Sequence, residues 1–544
     1  MIRILSAFVL LAVFAATAWS QVLHDPNDPI YRDLDRWAGR GYIDMLPPVR
    51  PYPAQLVDEL LTAVTENGNE DARSAAATYL AAIRKGARKF HFGLKGLIRG
   101  EDDDLSVEGA PTMDGLFRFE DWMSGSISLA VYGATRDPGD EISIPGVYSP
   151  YPDLIEDQSE VGPFSILPDW TSILSLGSSS IYFQAGLTRT AVGPFFDSGV
   201  VVSSEAGRAG HFDLVYRKPK WSASVMLLEL TATDDFGQGQ FPDKHLIFHS
   251  FDFKPTDKLE LGFFESVIWG GRMEFLYLAP FGQYFAAQSL TGFEDNSFFG
   301  VHGKYRILPD LSLLGQVYVD DLSFQDVIKL QLDTKYKFAG ELGVRWTPEE
   351  SRILDLAVDY TAVMPYMYTH ITGERTTDYR YAVDGDGDAA YPNYFNYSHL
   401  GRNLGTDLQP NSDRVSVRAT VRLLDELNLK LRAGLQRHGN ASEDQEGMDP
   451  ARHNGSVFDD GYTDTEVTGN DPKNTFNSET RFLTQDVIET LVHGGFGLAW
   501  NLPTGFGNIE LTADYVMEYG WNRGLIEDED GLAHYYAVGG TWRW

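Results

Sequence analysis

The sequence predicts an all-β membrane protein, an antiparallel transmembrane β-barrel of about 18 strands with a small N-terminal helical bundle. Three observations carry this expectation. Apolar and polar residues alternate with a period of two over most of the chain after Lys89. The chain ends on an aromatic strand, and its connections fall into two length classes that take turns along the sequence.

Composition excludes several other classes. The chain has 544 residues with 44 Lys plus Arg, 78 Asp plus Glu and a formal charge of −34. Nucleic acid is an improbable partner for so acidic a chain, because phosphate must be neutralised by clustered Lys and Arg. With no Cys there is no disulfide, no thiolate metal site, no cysteine nucleophile and no acylated cysteine anchor.

At the N-terminus, Arg3 precedes an apolar run from Ile4 to Ala16, and Ala18 and Ser20 supply a small-x-small cleavage site before Gln21. Residues 1–20 therefore read as an export signal. Residues 21–87 read as a periplasmic helical bundle. Ile30, Tyr31, Leu34, Trp37 and Ala38 form one stripe, ended by Gly39 and Gly41. After Pro47, Pro48, Pro51 and Pro53 a second helix carries Leu56, Leu60, Leu61 and Val64 and closes at Asn67-Gly68. A third, Ala-rich helix runs from about Glu70 to Arg84. Such short helices bury little surface alone and need a platform.

Residues 88–544 form the predicted barrel. Leu427, Leu429, Leu431, Ala433 and Leu435 alternate with Asn428, Lys430, Arg432, Gly434 and Gln436. Ile509, Leu511, Ala513, Tyr515 and Met517 alternate with Glu510, Thr512, Asp514 and Glu518, and Leu354, Leu356, Val358 and Tyr360 with Asp355, Ala357 and Asp359. A soluble sandwich alternates too. The ending Gly539-Gly-Thr-Trp542-Arg-Trp544 decides for a barrel, because it looks like the C-terminal signature read by the outer-membrane insertion machinery.

Short connections stand at Arg217–Lys220, Lys254–Lys258, Arg306–Asp310, Thr347–Ser351, Leu424–Glu426 and Asn501–Gly505. Long ones cover about 100–113, 137–169, 269–296, 364–411, 439–487 and 520–532. Strands are expected near 88, 114, 125, 171, 180, 210, 221, 244, 258, 297, 311, 337, 352, 412, 426, 488, 507 and 533. The apolar stretch 199–205 is assigned to a loop, and 328–336 is left out of its strand. The even count puts both chain ends on the short-turn side. Trp122, Trp170, Trp221, Trp269, Trp346, Trp500 and Trp521 fall near strand ends, where indole suits a lipid–water interface.

One stretch resembles a known family. Lys244-His245, Gly262-Phe-Phe-Glu265, Tyr277-Leu-Ala-Pro280-Phe281, Asp295-Asn296 through Gly300, and Gln316 through Asp321 look like the Wzi family of capsule-assembly outer-membrane proteins. Gly186-Leu-Thr-Arg189, Gly193-Pro194 and Gly199–Ser203 precede them in the expected order. Asp359-Tyr360-Thr361, Tyr366–His370, Leu404-Gly405 and Pro410–Asp413 follow. The resemblance covers roughly residues 180–420. Asp359 stands where the family often carries Glu, and the acidic stretch 439–487 has no counterpart. The resemblance implies an 18-stranded barrel, a periplasmic helical bundle and a surface that binds capsular polysaccharide, with no enzymatic role.

Loop 364–411 carries the residue types a polysaccharide site needs. Tyr366, Tyr368, Tyr379 and Tyr394 offer aromatic faces to sugar C–H surfaces, and Arg380 and Arg402 offer forks suited to uronic acid carboxylates. The plainer reading is a long loop folding inward on its own aromatic cluster. Asp384, Asp386 and Asp388 have the spacing of the start of a Ca2+ loop, although Ala389 and Phe395 replace its later Gly and Glu. The acidic outer loops suit contact with lipopolysaccharide through divalent ions.

Lumen-facing Lys430, Arg432, Asp355, Asp359, Glu510 and Asp514 either pair and close the lumen or form a selectivity ladder. His245, His249, His302 and His493 stand singly, with no Ser-His-Asp spacing. The alternative function is a specific porin for sugars, organic acids or lipids.

Overall fold

The computed structural model describes residues 25–86, 89–138, 140–148, 153, 159–196, 198–233, 240–279, 283–291, 295–322, 336–349, 351–370, 382–383, 389–390, 394–440, 481–505 and 507–544. The export signal read at 1–20 lies outside them. Eighteen long strands close into one antiparallel barrel. They are β1 Lys89–Glu101, β2 Asp104–Glu120, β3 Met123–Ala134, β4 Phe164–Gly177, β5 Ile181–Thr188 and β6 Ala209–Lys218. Next come β7 Trp221–Thr233, β8 Gln240–Thr256, β9 Leu259–Gly270, β10 Asn296–Leu308, β11 Leu311–Leu322 and β12 Tyr336–Trp346. The last six are β13 Ile353–Val363, β14 Ser412–Leu424, β15 Leu427–Gly439, β16 Ile488–Thr504, β17 Gly507–Trp521 and β18 Gly531–Arg543. Each pairs with its sequence neighbours. β18 returns to β1 in a register running from Gly93↔Arg543 to Glu101↔Tyr535, so the sheet has no free edge.

Alternation places the apolar set outside. On β15, Leu431 and Leu435 are exposed on the outer wall while Arg432 between them is buried. The same outer face carries exposed Phe212, Phe251, Phe263, Val301, Leu342, Phe496 and Val538, the lipid-facing band of a barrel resembling outer-membrane proteins. Trp122, Trp170, Trp500 and Trp521 are exposed, as an interfacial belt requires, but Trp269 is fully buried. No described helix is long and apolar enough to cross a membrane.

The expected long connection at 100–113 is absent. β1 and β2 pair up to Glu101↔Asp104, and the turn is Asp102-Asp103 with Asp102 at φ 48°. Pro111 obscured the strand: it has no amide donor, and the β2–β3 ladder skips from Gly109 to Thr112 around it. The stretch 199–205 is indeed not a strand of the barrel.

Three helices close the short-turn end: α1 Pro29–Arg40, α2 Ala54–Asn67 and α3 Glu70–Gly86. Asp28 caps α1 by accepting from the Ile30 amide at 3.0 Å, and Gly41 ends it at φ 80°. Tyr31, Leu34 and Trp37 on α1, Leu56, Leu60, Leu61 and Val64 on α2, and Ala76, Leu80 and Ile83 on α3 share one core. That core includes Leu116, Tyr182 and Val215 from the barrel's inner wall. Each large side chain fully buried there contributes roughly 1.5–3 kcal/mol. The barrel is the platform the short helices needed. Arg306 donates to the Gly39 carbonyl at 2.9 Å, the Met45 amide to the Pro219 carbonyl at 3.4 Å, and Arg217 pairs with Glu59 at 2.9 Å.

Candidate functional site

The long-loop end is built by three connections that turn into the lumen, between β3 and β4, between β5 and β6, and between β13 and β14. The second is seated by main-chain bonds. Ala191–Val192 pairs with Val49–Arg50 of the N-terminal segment, and the Val192 amide donates to the Val202 carbonyl at 2.8 Å. Val200, Val201 and Val202 are buried against Met226, Leu228, Phe248 and Tyr318 of the wall. Gln316 donates to the Gly193 carbonyl at 3.1 Å, and Ser198 bonds Glu341 at 2.9 Å, so this loop reaches β11 and β12.

Tyr366 and Tyr368 lie beneath the third loop, both at positive φ and both buried. The Tyr368 hydroxyl donates to the Val200 carbonyl at 2.6 Å, and its ring stacks on Tyr397 with centroids 5.4 Å apart. Tyr397 in turn meets Phe298 and Tyr318 edge-on at 4.9 and 5.5 Å. Here the inward aromatic cluster is what the sequence pattern encodes, and these two rings present no face to a ligand. Tyr394 is half-buried, its ring lying where a Cβ on Gly270 would stand. Tyr379, Arg380 and the Asp384, Asp386 and Asp388 cluster lie outside the described residues. Among the described residues no group of three acidic or imidazole side chains is arranged to hold a metal ion.

Around this apolar plug runs a polar seam. Asp153 is bonded by Arg189 at 2.9 Å and by Arg208 at 2.6 Å. Burial raises its carboxyl, but the two guanidinium groups outweigh it and hold the group at about 2. Arg208 also pairs with Asp169 and donates to the Trp170 carbonyl at 2.6 Å. His399 links the third loop to this seam. Its Nδ1 accepts from the Thr231 amide at 2.9 Å, so Nε2 carries the proton and donates to the Arg208 carbonyl at 2.8 Å. Burial pushes its imidazole down to about 4.

Arg402 of the third loop pairs with Glu141 of the first, and Arg414 on β14 grips Asp407 through two bonds of 2.7 Å. Arg402 and Asp407 are part-exposed. Glu205 sits in the field of Asp407, Arg189, Arg402 and Arg414. Burial and Asp407 raise its carboxyl to about 7. Of the predicted site residues, Arg402 is part-exposed and Tyr394 is half-buried against Gly270, while Tyr366 and Tyr368 are buried. Asp153, Glu205 and Arg208 were not foreseen, because their partners lie far away in sequence.

Of the lumen charges named from the sequence, Arg432, Asp514 and Asp359 are paired. Arg432 binds Asp514 at 2.8 Å, and Asp359 is held by Arg345 and Arg418. His302 and Asp252 stand 2.7 Å apart, so His302 has a partner. A cavity of about 110 Å³ lies at the opposite end, lined by Ala54, Ile83, Arg84, Leu116 and Arg118.

No family model matches the sequence, and no curated protein sequence does either. Solved structures do match. Wzi, described as an outer-membrane protein involved in group 1 capsule assembly in Escherichia coli and a carbohydrate-binding β-barrel, aligns with a TM-score of 0.58. The identity is 14%, over 96% of this chain and 99% of that one. The fold is that of Wzi. The match takes in helices and barrel together, since it spans nearly all of both chains. Pseudomonas aeruginosa OccD3 (OpdP) aligns at a TM-score of 0.42 and 10% identity, over 84% of this chain and 92% of its own. OccK8 (OprE) of the same organism gives 0.44 and 9%, over 84% and 98%.

Proposed function

We propose that this chain is an exported outer-membrane barrel that binds surface polysaccharide and retains it at the cell. The short-turn end and its helices face the periplasm, and the long loops face outward into the lipopolysaccharide layer. Residues 1–20 direct export, and the aromatic C-terminal strand is recognised by the barrel-insertion machinery. The observation that supports this reading best is the plug. Loops joined to one another and to the N-terminal segment make a fixed platform, whereas a porin needs its lumen free. The Wzi structure, described as a carbohydrate-binding barrel, has the same fold.

The ligand surface is the polar rim over the plug. Arg402 and Arg414 are held by carboxylates of the protein, and a uronic acid carboxylate offers the same planar partner to a guanidinium fork. Tyr394, half-buried in the same loop as Arg402, supplies a stacking face, and Tyr379 and Arg380 belong to that loop. The protein binds and does not cleave.

The test is retention of polymer by cells. Deleting the gene should shift surface polysaccharide into the medium, and the Arg402→Ala variant should restore only part of the retained fraction. Purified protein should bind the purified acidic polymer in a salt-dependent manner. Unchanged retention together with no measurable binding would overturn the reading.

A further inference from the structure

The connection between β9 and β10 behaves unlike the other long loops. Its 3₁₀ turn Phe275–Leu278 and helix α4, Tyr284–Thr291, do not enter the lumen. Tyr277 and Tyr284 pack on Ile247, Val267 and Trp269, with Val225 and Leu227 alongside. Strand parity puts those wall residues on the outside. Phe251 and Phe263, cross-strand partners and both exposed, fix the outward face, and His249↔Glu265, Ile247↔Val267 and His245↔Trp269 continue it toward the loop end. One ladder row reads Phe212–Leu227–Ile247–Val267 across β6 to β9. Phe212 is 48% exposed to the surroundings of the barrel, while Ile247 and Val267 are 1% and 0% exposed. The loop is draped over the outer wall.

The wall there carries a pair that lipid would penalise. His249 and Glu265 face outward 3.5 Å apart. The Tyr284 amide donates to Glu265 at 2.9 Å, and the Tyr284 ring lies 4.2 Å from the His249 ring. Charged groups on a lipid face are costly unless they are covered. The loop is itself fastened at its foot. Arg272 and the Tyr277 hydroxyl both bond Asp295 at 2.5 Å, and the Trp269 indole donates to the Arg272 carbonyl at 3.2 Å.

On its other side the loop presents exposed apolar residues. Phe275 is 74% and Leu290 79% exposed, and Met273 and Leu278 are exposed with them. The loop lies on the outward face of the same strands that carry the exposed band of Phe251, Phe263 and Val301. We propose that the loop is a membrane anchor in the plane of the interface, its exposed face seated in the acyl chains of the outer leaflet. It covers most of His249 and part of Glu265 on one side and replaces the lost apolar wall on the other. The lipid occupant follows from that placement, since the loop interrupts a band that lipid already covers.

The absence of Cys makes a direct test simple. Single Phe275→Cys, Leu290→Cys and Ile526→Cys variants are labelled with a nitroxide and reconstituted in phosphatidylcholine vesicles. Ile526, exposed on the connection between β17 and β18, is the aqueous control. All three positions are exposed, so labelling leaves packing intact. The ratio of oxygen to chromium oxalate accessibility should be severalfold higher at 275 and 290 than at 526. Ratios equal to the control would overturn the proposal. Strong dipolar broadening at 275 or 290 in dilute protein would overturn it as well, assigning the face to a second copy of the chain.

Discussion

Val49 and Val192 are cross-strand partners, although one belongs to the segment that climbs from the short-turn end and the other to a loop that descends from the opposite end. The Gly193 amide adds a bond of 2.8 Å to the Pro48 carbonyl. The guanidinium carbon of Arg50 lies 3.4 Å from the centroid of the Phe196 ring. Both halves of the plug are therefore one structural unit, and each half's stability depends on the other.

Removing that junction should loosen loops that lie far from the helices. Arg50 is buried, pairs with Asp35 at 2.5 Å and covers Phe196. The Arg50→Ala variant should lose roughly 2–4 kcal/mol of plug stability. The measurement is protease cleavage within 189–208 on folded barrel. Cleavage at the wild-type rate would show the junction to be incidental.

Asp153 is the hub of the seam, with Arg189 and Arg208 both on it. The Asp153→Asn variant removes the carboxylate that the buried Arg189 and Arg208 share and leaves Arg208 with Asp169, which costs on the order of 3–5 kcal/mol. Hydrogen exchange at 206–209 should rise sharply while the strands on the far side, β14 to β17, stay protected. Uniform protection would show that the arginines find other partners.

Two groups give the plug opposite responses to pH. His399 is lowered by burial from 6.5 to about 4, so its contribution is fully present above 6.5 and is lost as pH falls toward 4. Burial and then Asp407 raise Glu205 from 4.5 to about 7, so its contribution is fully present below 4.5 and is lost as pH rises through 7. The two slopes cancel between about 4.5 and 6.5, so exchange protection of the loops should be level there and fall on either side. Glu205→Gln should remove the alkaline limb alone, and His399→Gln the acid limb alone. A flat profile in the wild type would contradict both assignments.

Rim and interior should separate in binding. Arg402→Ala should weaken polysaccharide binding about tenfold, the loss of one charge-assisted bidentate contact. Tyr368→Phe removes only the 2.6 Å bond to the Val200 carbonyl. It should cost about 1 kcal/mol of stability and leave affinity within about twofold. The reverse pattern would place the ligand inside the plug.

Strand order and parity were legible because a lipid-facing wall must be apolar at every second residue, a constraint each strand carries locally. The three helices were legible for the same reason, from their stripes and the glycines at their ends. Pro111 was the local exception, a residue that reads as a break but sits inside β2. The rim was harder. Tyr366, Tyr368 and Tyr397 look alike in sequence to any sugar-binding tyrosine, and only the tertiary packing of Val200–Val202 and Phe298 assigns the first two to the interior. Asp153 comes from the connection between β3 and β4 and meets Arg189 and Arg208 from the two ends of the connection between β5 and β6, so no spacing announces them. Trp269 looked interfacial, and it is buried because a loop that leaves no periodic signal folds over it.

A plugged barrel whose loops serve as a surface should pass no ionic current. The most direct measurement is single-channel conductance of the folded protein in a planar bilayer, beside a variant lacking residues 25–53. The wild type should be silent, and steady openings should appear once the N-terminal segment is gone. Steady wild-type openings, blocked by a sugar or organic acid, would contradict the plugged barrel and make the porin the correct reading.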